Sequence, residues 1–156
     1  MLSHRDFETP QGRRLAYHYT PGSGPQIVFL GGFKSDMEGA KTRHLETWAQ
    51  HHGRGYLRFD YSGHGQSSGR FTDGCIGNWA EDAEAAINAL TVGPVILVGS
   101  SMGGWISLLL AKRMPVRVAG LVTIAAAPDF TEDSIWAGFD DTQRAQLASS
   151  GQVALA

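Results

Sequence analysis

Short apolar runs alternate along this chain with stretches in which apolar residues return every three or four positions. The runs read as strands and the stretches as helices. Leu15–Tyr19 alternates apolar and polar side chains, which predicts an early antiparallel or edge strand, and the Pro21–Pro25 turn cluster ends it. Gln26–Leu30 is a short apolar strand. Ser35 and Glu38 have capping-box spacing before a helix that aligns Met37, Ala40, Leu45, Trp48 and Ala49, and Gly53 and Gly55 stop it. Tyr56–Asp60 is the next strand, followed by a glycine-rich loop to Gly77. Asn78 and Glu81 open a second helix along Trp79, Ala83, Ile87 and Leu90. Pro94–Val98 and Val116–Ala127 read as further buried strands, with an apolar helix over Gly104–Arg113 between them. From Thr131 the composition turns polar, with short helices over Thr131–Ala137 and Asp141–Ser149 and a stop at Gly151.

This alternation predicts an α/β fold: a doubly wound, mostly parallel sheet with helices on both faces. At 156 residues the chain is one domain's worth. A net charge of −2 offers no electrostatic case for nucleic acid. One cysteine, Cys75, excludes an internal disulfide and suits a reducing compartment. The first residues lack the apolar core of a signal peptide, and no apolar run approaches the ~20 residues of a membrane span. A cytoplasmic protein without a membrane span is the resulting expectation.

The most informative five residues are Gly99-Ser-Ser-Met-Gly103, a Gly-x-Ser-x-Gly pattern with an apolar strand before it and an apolar helix after it. A sharp strand-to-helix reversal crowds its neighbours, so side chains at positions 99 and 103 would clash. Ser101 then stands at a helix N-terminus, where free N–H groups favour developing negative charge. The strand ends bring four loops to one edge of such a sheet: 31–36, 61–77, 99–103 and 125–130.

Taken together, these residues resemble the α/β-hydrolase superfamily. Leu30-Gly-Gly-Phe-Lys-Ser-Asp-Met37 is similar to the loop that donates the first oxyanion N–H. Arg58-Phe-Asp-Tyr-Ser-Gly-His-Gly-Gln-Ser67 is similar to the superfamily's Asp-x-x-Gly-His-Gly-x-Ser loop, and residues 93–105 to its nucleophile elbow. With Ile76–Trp79, these blocks are most similar to the palmitoyl-protein thioesterase and acyl-glucuronide esterase subgroup and its bacterial relatives. The resemblance implies a serine hydrolase acting on carboxylic esters or thioesters through an acyl-Ser101 intermediate. The backbone N–H groups of Met102 and Phe33 would stabilise the oxyanion, and Phe33 and Trp105 would shape an acyl pocket. It implies residues 1–130 as the N-terminal part of the hydrolase core and 131–156 as the start of a cap or lid insertion. Gly31 departs from the usual His or Pro at its position.

A serine hydroxyl needs a base, usually histidine, and in this superfamily the triad runs Ser, Asp or Glu, His. All six histidines precede Ser101. The resemblance therefore implies that the triad acid and histidine are not in this chain, that the core's C-terminal strands are missing, and that the chain alone is inactive. His64 and Asp129 are the substitutes weighed, His64 being placed two strand steps, about 10 Å, from the elbow. The competing reading is a non-catalytic scaffold that at most binds an acyl ligand. Gly63–Gly69 only approximates a dinucleotide loop, and no helix opens directly after it. No cofactor or metal motif is present, so the expected partner is a small-molecule or acyl-thioester substrate. The apolar segment 120–126 is also expected to form an unguarded sheet edge through which copies of the chain associate.

Overall fold

The computed structural model describes residues 4–155. It falls into two compact units, Met1–Ala126 and Ala127–Ala156.

The first unit is built on a six-stranded sheet: β1 (Arg5–Glu8), β2 (Arg14–Thr20), β3 (Ser23–Leu30), β4 (Arg54–Phe59), β5 (Val95–Ser100) and β6 (Val118–Ile124). Their spatial order is β1-β2-β4-β3-β5-β6. The four strands from β4 to β6 pair in parallel, while β1 and β2 add an antiparallel hairpin at the other edge. The parallel strands are joined through α1 (Ala40–His51), α2 (Ile76–Leu90) and α3 (Met102–Arg113). The alternation of side chains on β3 divides the core. Ile27 and Phe29 pack with Tyr56, Val98 and Ala49 of α1 in one layer. Val28 and Leu30 point the other way, and both are fully buried.

The mostly parallel α/β sheet is thus as the periodicity predicts, and five of the six strands lie where apolar runs mark them. One strand went unmarked in the sequence, and three local expectations are corrected. β1 carries no apolar run, since Arg-Asp-Phe-Glu is polar at three of four positions; it forms by pairing with β2. The Pro21–Pro25 cluster is not all turn, because β3 already begins at Ser23. Neither capping box forms. The first helix starts at Ala40 with Gly39 as its N-cap, and the second at Ile76 with Cys75, both without a side-chain cap. Glu38 is drawn instead into an ion pair with Arg58 and a contact with the His18 ring, and Asn78 lies inside its helix. Finally, β6 is not a buried strand: Leu121, Val122 and Ile124 all remain substantially exposed.

In the second unit, Thr131–Trp136 forms a π-helical turn and Asp141–Ser150 forms α4. Here a capping box does form. Asp140 accepts from the Gln143 N–H at 2.8 Å, and the Asp140 N–H donates back to the Gln143 side chain at 3.0 Å. Gly151 closes the helix in the left-handed region at φ 72°. No helix among the described residues is long and apolar enough to cross a membrane.

Candidate active site

β5 and α3 meet at Ser101 with no intervening loop, as the Gly-x-Ser-x-Gly pattern requires. Ser101 adopts φ 54°, ψ −117°, a conformation that side-chain-bearing residues rarely take and that costs about 1–3 kcal/mol. The Ser101 N–H donates to the Ile124 carbonyl at 3.0 Å, and its own carbonyl accepts from Gly104 at 2.9 Å. The flanking glycines are necessities of packing. A Cβ at Gly103 would overlap the Leu30 carbonyl oxygen, and one at Gly99 would overlap the Gly103 carbonyl. The end of β3 therefore lies directly against the first turn of α3.

That close approach brings the β3–α1 loop (residues 31–39) to the serine. A Cβ built on Gly32 would lie 3.5 Å from the Ser101 Cβ and 3.6 Å from the Ser100 carbonyl. Phe33 follows immediately, so the structure brings the Phe33 segment, Ser101 and Met102 into one place. Met102 is the first residue of α3, where a helix leaves its N–H groups without intrahelical acceptors. A hydroxyl, a helix N-terminus and a neighbouring loop backbone in this arrangement suit an acyl group that develops negative charge on its oxygen.

The Phe33 ring packs against Phe71 (4.9 Å between centroids) and Trp79 (6.1 Å), and these two stack on one another at 5.6 Å. This contact gives Phe33 a packing role beside the acyl-pocket role implied by resemblance. The next residue, Lys34, is again left-handed at φ 56°, and its ammonium lies 5.2 Å over the Phe71 ring.

His64 belongs to the same aromatic group and not to the serine. Its ring is 4% exposed and meets Tyr61, Phe71 and Trp79 edge-on at 5.1–5.6 Å. Nδ1 is 3.1 Å from the Ser62 carbonyl, while Nε2 is buried without a hydrogen-bond partner. Burial holds its pKa below the ordinary histidine value, against the Ser62 hydrogen bond and the charges of Asp60 and Asp82. The strand order separates its loop, after β4, from β5 by the whole of β3. Asp129 lies in the second unit, where its carbonyl accepts from Glu132 and Asp133 at the start of the π-helical turn.

Three anchoring groups have partners that the sequence reading did not assign. Asp82, fully buried in α2, accepts from Arg13 Nε and from both the N–H and hydroxyl of Ser62. The Tyr61 hydroxyl donates to the Gly31 carbonyl at 3.2 Å; burial and the Asp82 charge push its pKa up, so it stays a donor. Asp60, 2% exposed, accepts from the backbone of Met37 and of Gln66. An acidic residue inside an apolar helix face was the available signal for Asp82. For Asp60 and Tyr61 the motif was visible but the partners were not.

Fold and turn together define a hydrolase-type α/β protein, and the comparisons agree. The chain belongs to the alpha/beta hydrolase fold family, whose model matches residues 30–156. Its similarity is high to palmitoyl-protein thioesterase ABHD10, mitochondrial: 41% identity over 120 residues for the Bos taurus protein and 40% for that of Homo sapiens. Each alignment covers 77% of this chain and 39% of the relative. The solved structure of alpha/beta hydrolase domain-containing protein 10 from mouse superposes with a TM-score of 0.90 at 32% identity. That superposition covers 99% of this chain and 61% of the mouse chain. The chain thus spans about two-fifths of the length of the curated relatives it matches.

Proposed function

We propose that this chain supplies the nucleophile and oxyanion half of a serine hydrolase that cleaves carboxylic esters or thioesters. The observation that carries the reading is Ser101 itself: a serine held at φ 54° on a strand–helix turn, with Gly32 packed against it. In the proposed reaction, Ser101 Oγ attacks the carbonyl carbon and its proton passes to a general base. The carbonyl oxygen becomes an oxyanion held by the N–H groups of Met102 and Phe33. Collapse of the tetrahedral adduct expels the alcohol or thiol, which takes up the proton, and leaves acyl-Ser101 for water to hydrolyse. The names of the relatives favour a thioester, and the apolar rings of Phe33 and Trp105 suit an apolar acyl chain.

The base is the missing part. His64 is the histidine closest in sequence to the turn, and its Nε2 is enclosed by rings two strands away. The 156-residue chain alone is therefore expected to show no turnover. The decisive measurement uses the product of the complete reading frame with p-nitrophenyl and acyl-thioester substrates. Hydrolysis is expected to fall by at least about 10³-fold in Ser101→Ala, with an acyl adduct on Ser101 seen by mass spectrometry. Hydrolysis that survives Ser101→Ala would overturn the reading and leave the turn as scaffold.

A further inference from the structure

The β3–α1 loop has a few hydrogen bonds of its own, from the Ser35 N–H to the Gly32 carbonyl at 3.1 Å and from the Glu38 N–H to Asp36 Oδ1 at 2.9 Å. It also contains two consecutive glycines and a left-handed lysine at φ 56°, and Gly32 lies beside Ser101. Further ties to the rest of the sheet come from β4 and the segment that follows.

The far end of the loop is gripped at a single residue. Arg58 Nη1 donates to the Met37 carbonyl at 2.7 Å, and the Met37 N–H donates to Asp60 Oδ1, also at 2.7 Å. Arg58 and Asp60 stand two residues apart, the spacing that puts strand side chains on one side. One cation and one anion thereby hold both backbone polar groups of one peptide residue. The Met37 side chain is buried as well. Arg58 is in turn fixed by Glu38 at 2.7 Å and Glu46 at 3.0 Å. The second oxygen of Asp60 accepts from the Gln66 N–H at 2.8 Å, so one carboxylate ties two loops together. The near end of the loop is held by Tyr61 through the Gly31 carbonyl, and the middle by Phe71 against Phe33.

We propose that Asp60 is a positioning residue for the oxyanion site, clamping Met37 with Arg58 so that the Phe33 N–H stays aimed beside Ser101. The proposal rests on the hydrolase reading above. Its chemistry is particular to a carboxylate, because both oxygens must accept. Asparagine offers one acceptor and one opposing donor, and alanine offers neither.

The product of the complete reading frame is the protein to test. Asp60→Ala is expected to lower kcat about 100-fold with KM within about twofold, since a misplaced oxyanion donor costs transition-state binding and little ground-state binding. Asp60→Asn restores part of the loss, to about 10-fold. Amide hydrogen exchange is expected to quicken over residues 33–38 and 65–67 and to stay unchanged in β5 and α3. Exchange needs no turnover and is read on the 156-residue chain as well. Wild-type kcat in Asp60→Ala overturns the clamp, and so does exchange that quickens uniformly over the sheet. If Asp60→Ala does not fold, Asp60→Asn and Tyr61→Phe, which frees the other end of the loop, carry the same two readouts. Hydrolysis lost in Ser101→Ala but intact in the Asp60 variants refutes the clamp alone. Hydrolysis retained in Ser101→Ala refutes the hydrolase reading.

Discussion

Strands β5 and β6 are parallel neighbours in one sheet, in steady register from Ile96 and Gly120 onward, and nearly as apolar as each other. Leu97 of β5 pairs with Leu121 of β6, and Val98 pairs with Val122. Yet Leu97 is fully buried and Leu121 is 38% exposed; Val98 is 8% exposed and Val122 51%. In these two pairs the residue types are identical, so residue type cannot be the cause. α3 packs against both strands, but β5 has a strand on each side, whereas β6 pairs with β5 alone among the described residues. Apolar sequence states what a strand needs, and topology decides what it receives.

The comparison is sharpest at the paired leucines. Leu97→Ala is expected to cost about 2–5 kcal/mol, by loss of buried surface and creation of a cavity. Leu121→Ala is expected to cost under about 1 kcal/mol, because its side chain remains near solvent. Urea denaturation of the two variants checks this, and equal losses would mean that β6 is covered in solution. A charge makes the next test. Val122→Lys is expected to leave the fold intact and, if copies of the 156-residue chain associate through β6, to reduce that association, as lysine does on exposed sheet edges. Sedimentation velocity over a concentration series reads it out, and association unchanged by the lysine would place the contact elsewhere.

The smallest effect separates burial from strand position altogether. His64 lies off both strands, and its folded-state pKa is depressed by burial. Such a group contributes stability that is present above the unfolded histidine pKa of ~6.5 and is lost as pH falls through the folded value. His64→Phe removes the titrating ring, while the Ser62 carbonyl keeps its Trp79 donor at 3.0 Å. The variant is expected to lose less stability than wild type on acidification below about pH 6.5, in parallel thermal melts. His18, also depressed by burial and by Arg58, leaves a residual slope in both proteins.

Where the sequence was legible, local physics decided the outcome. Buried strands announced themselves as apolar runs, and the glycines around Ser101 announced a close approach that the Leu30 carbonyl then occupied. The two-strand separation of His64 from the turn came from the strand order that the resemblance implies, which the sheet shares. What could not be read was pairing across long separations. β1 exists because β2 offers it a ladder, and Ser35–Glu38 failed as a cap because Glu38 met Arg58 twenty residues away. Asp60 stood in plain view within a motif, but its two acceptors found backbone partners that no spacing rule names. The one capping box among the described residues, at Asp140 and Gln143, opens a helix whose span was expected but whose cap was not.

The backbone at position 101 has a consequence for any attempt to make this chain sturdier. Its φ of 54° suits a glycine better than a serine. Selection for stability alone, blind to chemistry, would be drawn to Ser101→Gly, which trades the hydroxyl for about 1 kcal/mol or more of relieved strain. A library screened only for heat resistance would thus tend to discard this serine. Its loss from the survivors would register a conflict between what the chain tolerates and the role proposed for the hydroxyl.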